Sequence, residues 1–405
     1  MNSVLYTALT GIPSKHGGGG KRIIHDLMLH LDRDRFRSAF CSFTGYTETV
    51  PEDTGLTAGG NMPEHWMRRL PFHDAVTRSN LYQYLYAYRL RRQFRAAAAR
   101  YHVDILHAHH PYPTPFFIDA GTRTVLSIHS KGGMANEMAH SGMEGYQNNP
   151  VFREIARMER YAVAHADAVT FPSHTSRDLF LRMNPSIPGA ERMEVIHNGI
   201  DVDSVAAVPR SPEVLVRYDI RTDAQLTLLN IADHNAQKNI PLLITALERI
   251  VRVHGNDAML INAGEGQETP RLREQVRTAG LERHVRFLGR IPNEDILRLL
   301  KSTDCFVLTS RDVVFDLVVL EALAAETAVF VSDDGGNREI ITHGSNGYLL
   351  GNDADEIARM IIGADRDRVR SHALRSVQPF TVRSMVRSYE TLYERLLSAG
   401  VKGGA

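Results

Sequence analysis

Three stretches of this chain carry residues whose types and spacing suit chemistry on a small ligand. The first spans 309–339 and reads TSRDVVFDLVVLEALAAETAVFVSDDGGNRE. It parses as a strand ending near Ser310, a helix over 317–325, and a short strand over 328–332 that runs into Asp334-Gly335-Gly336. A parallel strand that hands over to a helix N-terminus points backbone N–H groups and a positive dipole end at the sheet's carboxyl edge, a ready seat for phosphate. The glycine pair lets a second backbone segment come close to a ligand. A packed crossover that binds nothing has the same spacing. The second stretch is 10–20, a loop holding four consecutive glycines at 17–20. It is a phosphate- or sugar-facing loop in form, or else a flexible loop without a ligand. It is not a Walker A loop, because Lys21 follows the glycines without Ser or Thr. The third is a set of histidines, His107, His109, His110 and His129, at the ends of two apolar runs. Imidazoles can bind zinc, but no Cys, Asp or Glu completes a pattern around them, and no metal is expected.

These residues need a scaffold that gathers strand ends. Residues 4–9 form a short apolar run read as the first buried parallel strand, and Ile23, Ile24, Leu27, Met28 and Leu31 form a helical face after the glycine loop. Residues 36–43 read as the second strand, 44–80 as irregular, and 81–100 as an amphipathic helix with a packed aromatic stripe. Strands at 103–108 and 122–129 end in the histidines. Histidines at the carboxyl ends of successive parallel strands lie where an α/β cleft opens. Residues 131–150 read as a mobile loop or an ordinary surface loop, and 151–165 as a helix. Residues 166–172 read as a strand, and the Ser173–Ser176 cluster as the cap of a helix over 177–183. After a linker at 201–212, strands and helices alternate again: strands at 226–232, 258–263, 285–288 and 305–309, helices at 240–253, 269–279 and 293–300. Strict alternation means a parallel, doubly wound sheet.

At 405 residues the chain is long enough for two domains with separate cores. Lys+Arg and Asp+Glu balance at 47 each, which argues against nucleic acid or an anionic membrane as partner. Cys41 and Cys305 lie far apart and suit free thiols in a reducing cytoplasm. The first residues lack the basic and apolar regions of a signal peptide, and no window approaches 18 uninterrupted apolar residues. A cytoplasmic enzyme is expected, as monomer or homodimer.

Nearly the whole chain resembles the family 4 glycosyltransferases of the GT-B fold, also described as glycosyl transferases group 1. The family carries S-x-x-E-G-F-G-L-x-x-x-E followed by S-D-x-G-G-x-x-E, and Ser310, Phe315, Leu317, Glu321, Ser332, Asp333, Gly335, Gly336 and Glu339 match in place. ADHNAQKNIPLLITAL resembles the family's G-R-x-x-x-x-K-G-x-x-x-L-I-x-A-L and puts Lys238 on its lysine. VIHNGID, INAGEGQETPRL, VRFLGRIPNEDILRLLKSTDCFVLTS and the tail FTVRSMVRSYETLYERLL also follow the family in order. The resemblance implies two Rossmann-like domains facing a cleft, over 1–205 and 213–378, with a last helix in 379–405 crossing back to the first.

It also implies the activity, retaining transfer of a sugar from a UDP- or GDP-sugar to a small acceptor, with no metal and no resident cofactor. The acceptor is a sugar, an aminocyclitol, a thiol or a lipid. The resemblance places Lys238 on the diphosphate, Glu321 on the nucleotide ribose and His129 on the sugar. Gly18, Gly19, Gly264, Arg290, Ile291, Asp316, Leu317 and Val318 fall on the donor side, and His109 and Lys131 on the acceptor side. Three positions depart from the pattern: the family's Arg falls on Asp233, its first Glu on Val313, and a phosphate-facing Gly on Asp316. Losing one cation and adding acids opposes an anionic diphosphate. Either another arginine, Arg311 or Arg290, restores the charge, or the donor is unusual, or the protein is a silent GT-B scaffold.

Overall fold

The computed structural model of the chain describes residues 1–7, 19–42, 45–47, 102–111, 114, 118, 122–133, 137 and 150–399. The expected helix over 81–100, Gly18, nearly all of the irregular segment 44–80 and most of the loop 131–150 lie outside the described residues. The chain divides into two compact units, Met1–Asn198 with Val382–Ala405, and Gly199–Thr381.

The first unit runs β1 (Asn2–Thr7), α1 (Gly19–His30), β2 (Phe36–Ser42), β3 (Gly45–Thr47), β4 (Ile105–Ala108), β5 (Arg123–Ser127), α2 (Pro150–His165), β6 (Ala168–Phe171), α3 (His174–Met183) and β7 (Met193–Val195). Its sheet has the order β3-β2-β1-β4-β5-β6-β7, parallel except for the antiparallel β3. The strands are nearly continuous apolar runs because helices cover both faces of such a sheet. Ile23, Ile24, Leu27 and Met28 are buried along one stripe of α1. The Ser173 hydroxyl caps α3 by accepting the Ser176 N–H at 3.1 Å.

The second unit runs α4 (Val202–Ala207), α5 (Glu213–Arg217), β8 (Leu226–Ile231), α6 (Ile240–Glu248), β9 (Ala258–Ala263), α7 (Thr269–Thr278), β10 (Val285–Gly289), α8 (Asn293–Ser302), β11 (Cys305–Leu308), α9 (Leu317–Ala324), β12 (Ala328–Ser332), α10 (Asn337–Ile340), β13 (Tyr348–Leu350), α11 (Ala354–Gly363) and α12 (Arg366–Ser376). Its six-stranded sheet has the order β10-β9-β8-β11-β12-β13. Two expectations need correction. The presumed linker contains α4, because the Asp201 carboxylate caps it at Ser204 N–H and Val202 and Val205 are buried in the core. The helix expected to run to 253 is α-helical only to Glu248 and continues as a wider π turn over Arg249–Val253.

The last helix, α13 (Val382–Ser398), belongs to the first unit. Met385, Val386, Tyr389, Leu392 and Tyr393 form its buried face. The two tyrosine hydroxyls enter a buried polar network. Tyr393 Oη lies 2.6 Å from His107 Nδ1 and 3.3 Å from Tyr6 Oη. His107 Nε2 lies 2.7 Å from Ser127 Oγ, which also meets Thr170 Oγ1 at 2.6 Å and Tyr389 Oη at 3.1 Å. Every member is a neutral hydrogen-bonding group, so burial brings no charge penalty as long as each finds a partner.

Tyr393→Phe should therefore destabilise the protein by about 1–3 kcal/mol, the cost of leaving the buried His107 Nδ1 without its partner. Urea denaturation followed by circular dichroism reads this. An unchanged midpoint would mean that the hydroxyl contributes nothing.

Candidate functional site

In each sheet one point exists where neighbouring strands send their chains in opposite directions, between β1 and β4 in the first and between β8 and β11 in the second. Loops diverge there and leave a crevice at the carboxyl edge. The residues singled out in the sequence follow those four strands.

In the second unit, β8 leads through 232–235 to a single 3-10 turn, Ala236–Lys238, held by the Asn235 side chain accepting the Lys238 N–H at 3.2 Å. Asn239 then adopts φ 47°, a left-handed conformation that asparagine tolerates, and α6 begins. On the β11 side, Arg311 N–H donates to Gln237 O at 2.7 Å and Thr309 Oγ1 donates to Asn239 O at 3.0 Å. These bonds lock the two loops together. They bring Lys238 Nζ to 3.1 Å and 3.4 Å from the two carboxylate oxygens of Asp316. Asp316 is the N-cap residue of α9, yet its carboxylate makes no capping bond to its own helix. Leu317 and Val318 open the first turn of α9, where amides have no intrahelical acceptor. Glu321 lies one turn further on, 5 % exposed in a helix that is otherwise apolar.

The other departures from the family pattern are also placed. Asp233 is exposed and has Arg290 at 3.4 Å, and the same guanidinium donates to Glu265 at 2.9 Å. Arg290 thus supplies a cation beside the acid that stands in the arginine position. Arg311 is exposed and takes part in no ion pair among the described residues. Val313 is buried, so an apolar side chain fills the place of the family's carboxylate. Gly264 has φ 134°, and a Cβ there would meet Ala232 O at 1.9 Å, so that loop requires glycine to lie against the β8 loop. The pair Gly335-Gly336 was expected to let backbone approach a ligand. A close approach within the chain requires glycine here as well: a Cβ on Gly335 would meet Val313 O at 1.9 Å, and Gly336 N–H donates to that oxygen at 3.0 Å.

Sequence reasoning missed His234. It is fully buried, with Nδ1 2.7 Å from Thr269 Oγ1 and Nε2 3.2 Å from Asn262 Oδ1. Thr269 Oγ1 in turn accepts the Gly266 N–H at 3.0 Å. His234 therefore pins the Gly264–Gly266 loop to the β8 loop, and burial pulls its pKa down. Its position just past a strand's carboxyl end, the signal that flagged His129, was available in the sequence.

In the first unit His109 Nδ1 lies 2.9 Å from His129 Nε2, with the rings nearly parallel at 5.2 Å, and His107 lies 4.2 Å from His109. Burial pushes His107 and His109 well below the usual imidazole range, with His129 adding to it. His110 falls to about 3 and His129 to about 4, burial again being the first cause. The cluster is neutral near pH 7. Four polar atoms at this edge, Thr7 Oγ1, His109 Nε2, His110 Nδ1 and Ser130 Oγ, are buried without a partner among the described residues. Lys131 is buried too, in a turn held by Asn184 Nδ2 donating to Gly132 O at 3.1 Å. Gly19 opens α1, while Gly18 lies outside the described residues. Cys41 and Cys305 are free and buried, both thiols pushed up to about 12 by desolvation, which removes them as nucleophiles.

Two doubly wound sheets in one chain, with the final helix returned to the first, form the GT-B fold. HepE of Anabaena, solved in complex with UDP, superposes with a TM-score of 0.69 at 19 % identity, covering 97 % of this chain and 100 % of that one. Sucrose-phosphate synthase of Thermosynechococcus elongatus gives 0.72 at 18 % identity, covering 99 % and 100 %. The family follows from sequence: the model for glycosyltransferase family 4 matches residues 17–204 and that for glycosyl transferases group 1 matches 220–376, and the chain belongs to this glycosyltransferase family. Among relatives, the N-acetyl-alpha-D-glucosaminyl L-malate synthase of Bacillus anthracis is 25 % identical over 342 residues, 80 % of this chain and 84 % of that protein. The alpha-maltose-1-phosphate synthase of Mycolicibacterium smegmatis is 28 % identical over 270 residues, 63 % of this chain and 67 % of that protein. No helix among the described residues is long and apolar enough to cross a membrane.

The neutral histidines set a pH dependence. In the unfolded chain they take up protons from about pH 6.5 downward, whereas folded His129 waits until about 4. Between those values the unfolded state binds more protons, so stability falls as pH drops from 6.5 towards 4. His129→Asn should remove roughly 1–3 kcal/mol of that loss. Urea midpoints measured from pH 7 to pH 4.5 test it, and parallel slopes for the two proteins would refute it.

Proposed function

We propose that this glycosyltransferase is retaining and metal-independent, and moves a sugar from a UDP- or GDP-sugar to a small hydroxyl-bearing acceptor. One observation carries the reading: Lys238 and the start of α9 meet at the β8/β11 switch point, a cation and a helix N-terminus together. There Lys238 and the amides of Leu317 and Val318 hold the diphosphate, with the Gly264 and Arg290–Ile291 loops beside it. Glu321 holds the ribose hydroxyls. The bond from the anomeric carbon to the diphosphate oxygen breaks, and its electron pair stays on that oxygen. The acceptor oxygen forms the new bond on the same face, and its proton passes to the departing phosphate oxygen. The protein's part is to position both substrates and stabilise the charge on the leaving group.

The acceptor side fits a hydroxyl-rich molecule. The partnerless atoms of Thr7, His109, His110 and Ser130 can donate to or accept from hydroxyl groups, and the histidines are neutral. His129 contacts the transferred sugar, and His109 and Lys131 face the acceptor. HepE was solved with UDP and glucose, and the Bacillus anthracis relative is named for joining a glucosaminyl group to L-malate. Both support a nucleotide-sugar donor and a small acceptor. A ligand-binding scaffold is the second reading, favoured by the fact that Asp316 already neutralises Lys238 and that Val313 is apolar.

Calorimetry with UDP and GDP separates the two. Lys238→Ala should weaken the preferred nucleotide by about 1.5–3 kcal/mol, the loss of a charge-assisted hydrogen bond. Asp316→Asn should tighten it, because the phosphate no longer competes with a carboxylate for the ammonium. Constants unchanged in both variants would remove this pair from the donor site. Slow hydrolysis in a panel of nucleotide sugars supports the transferase, and no nucleotide effect at all supports the scaffold.

Glu321→Gln should lower nucleotide affinity while leaving the turnover number at saturation within about twofold, since a ribose contact acts on binding rather than on the chemical step. A fall in turnover at unchanged affinity would contradict that role.

A further inference from the structure

The second unit carries a cavity of about 470 Å3 whose walls include Arg210, Lys301, Thr303, Glu326, Arg370 and Ser371. It sits at the opposite edge of the sheet from the candidate donor site. Lys301 and Thr303 close α8 just before β11 begins at Cys305, and Glu326 follows α9 just before β12 begins at Ala328. Those are the amino ends of the strands, whereas Lys238 and Asp316 follow carboxyl ends.

Three cations and one carboxylate line the space. Two of the cations have a structural duty. Lys301 Nζ donates to Ala206 O at 2.6 Å, and Arg370 Nη2 donates to Asp304 O at 2.6 Å, so both ease carbonyls near helix ends. That duty is incomplete as an explanation. Lys301 has two further N–H donors, and no carboxylate among the described residues reaches it within ion-pair distance. Burial pulls its pKa down, and Glu326 only partly opposes the shift. Arg370 has its other ion-pair contact, Asp367, at a long 3.7 Å. Arg210 is exposed and makes no ion pair among the described residues. The Thr303 and Ser371 hydroxyls each donate to a backbone carbonyl, at 2.9 Å and 2.7 Å, and Ser371 Oγ also lies 3.4 Å from His372 Nδ1; a hydroxyl oxygen has a second lone pair with which to accept from a ligand hydroxyl.

We propose that this cavity is a binding site, separate from the donor site, for the phosphate monoester of a small polyol. The phosphate sits between Arg210, Lys301 and Arg370, whose donors match its oxygens. The hydroxyl oxygens of Thr303 and Ser371, together with the Glu326 carboxylate, receive the polyol hydroxyls. The volume is within the range of small-ligand pockets and exceeds what a lone phosphate fills.

The test is titration of the full chain with glycerol 3-phosphate and with inorganic phosphate, followed by calorimetry. Glycerol 3-phosphate should bind saturably and at least about threefold tighter than inorganic phosphate. Arg210→Ala should weaken it about tenfold or more. The charge-matched change at the exposed Arg359, Arg359→Ala, should leave it unchanged, as should Lys238→Ala. Thermal midpoints of the variants confirm that each is folded, and Lys301→Gln gives a second reading should Arg210→Ala fail that check. Absence of saturable binding, or equal affinity in Arg210→Ala and wild type, overturns the site. Loss of binding in Lys238→Ala would move the anion to the donor site and overturn it as well. Equal affinity for the two anions overturns the polyol part.

Discussion

A parallel sheet covered by helices on both faces has no room for polar side chains except at the ends of its strands. Both units obey this constraint. β11, with the sequence CFVL, is buried at every position, and so is β4, where the His107 ring is admitted because the hydroxyls of Tyr393 and Ser127 partner its two nitrogens. Charges are therefore driven to the loops, and the loops that diverge at a switch point leave space between them. Lys238, Asp316, Asp233 and Arg290 in one unit, and Thr7, His109, His110 and Ser130 in the other, occupy those loops for the same physical reason. What differs is the chemistry that each edge offers.

The second edge is ionic and already self-compensated. Lys238 pairs with Asp316, each about one-fifth to one-quarter exposed, while Arg290 pairs with Asp233 and Glu265 in nearly full solvent. In high dielectric the Arg290 pairs are weak, worth about 0–1 kcal/mol, so an incoming anion can displace them easily. The Lys238–Asp316 pair is better shielded. A diphosphate bound as proposed would compete with a carboxylate held at the mouth of a helix by the fold itself. The helix N-terminus favours either anion, but the phosphate brings more charge and more acceptor oxygens.

Much of this was legible in the sequence, and the part that was not has a pattern. Strands such as AMLINA (258–263) and the stripe of α1 follow from burial period alone, because two-faced burial and one-faced burial leave different marks. The strand-to-helix handover at Ser310–Leu317 was legible for the same reason. The ion pairs were not: Lys238 and Asp316 are 78 positions apart, and pairing depends on which loops the sheet order places side by side. α4 was hidden by its surroundings, since prolines at 209 and 212 and a run of small residues look like a linker, while two buried valines and one Asp cap suffice to make a helix. Gly335-Gly336 was legible only in part. Its need for glycine was legible, but the atom that demands it is a carbonyl of its own chain.

The two edges also differ in how they treat protons. At the first edge, burial keeps His109, His110 and His129 neutral, so these three imidazoles are donors and acceptors without charge. At the second, Lys238 and Arg290 stay beside carboxylates. A neutral imidazole orients a hydroxyl without attracting counter-ions, whereas an ammonium attracts phosphate before it orients anything. An ionic edge and an edge of neutral imidazoles suit the proposed reaction between an anionic donor and a hydroxyl acceptor. Protonated imidazoles would give the first edge an attraction for phosphate of its own. His107 packs against the rings of Tyr6, Tyr389 and Tyr393, which holds the innermost imidazole of the cluster in its buried, neutral form.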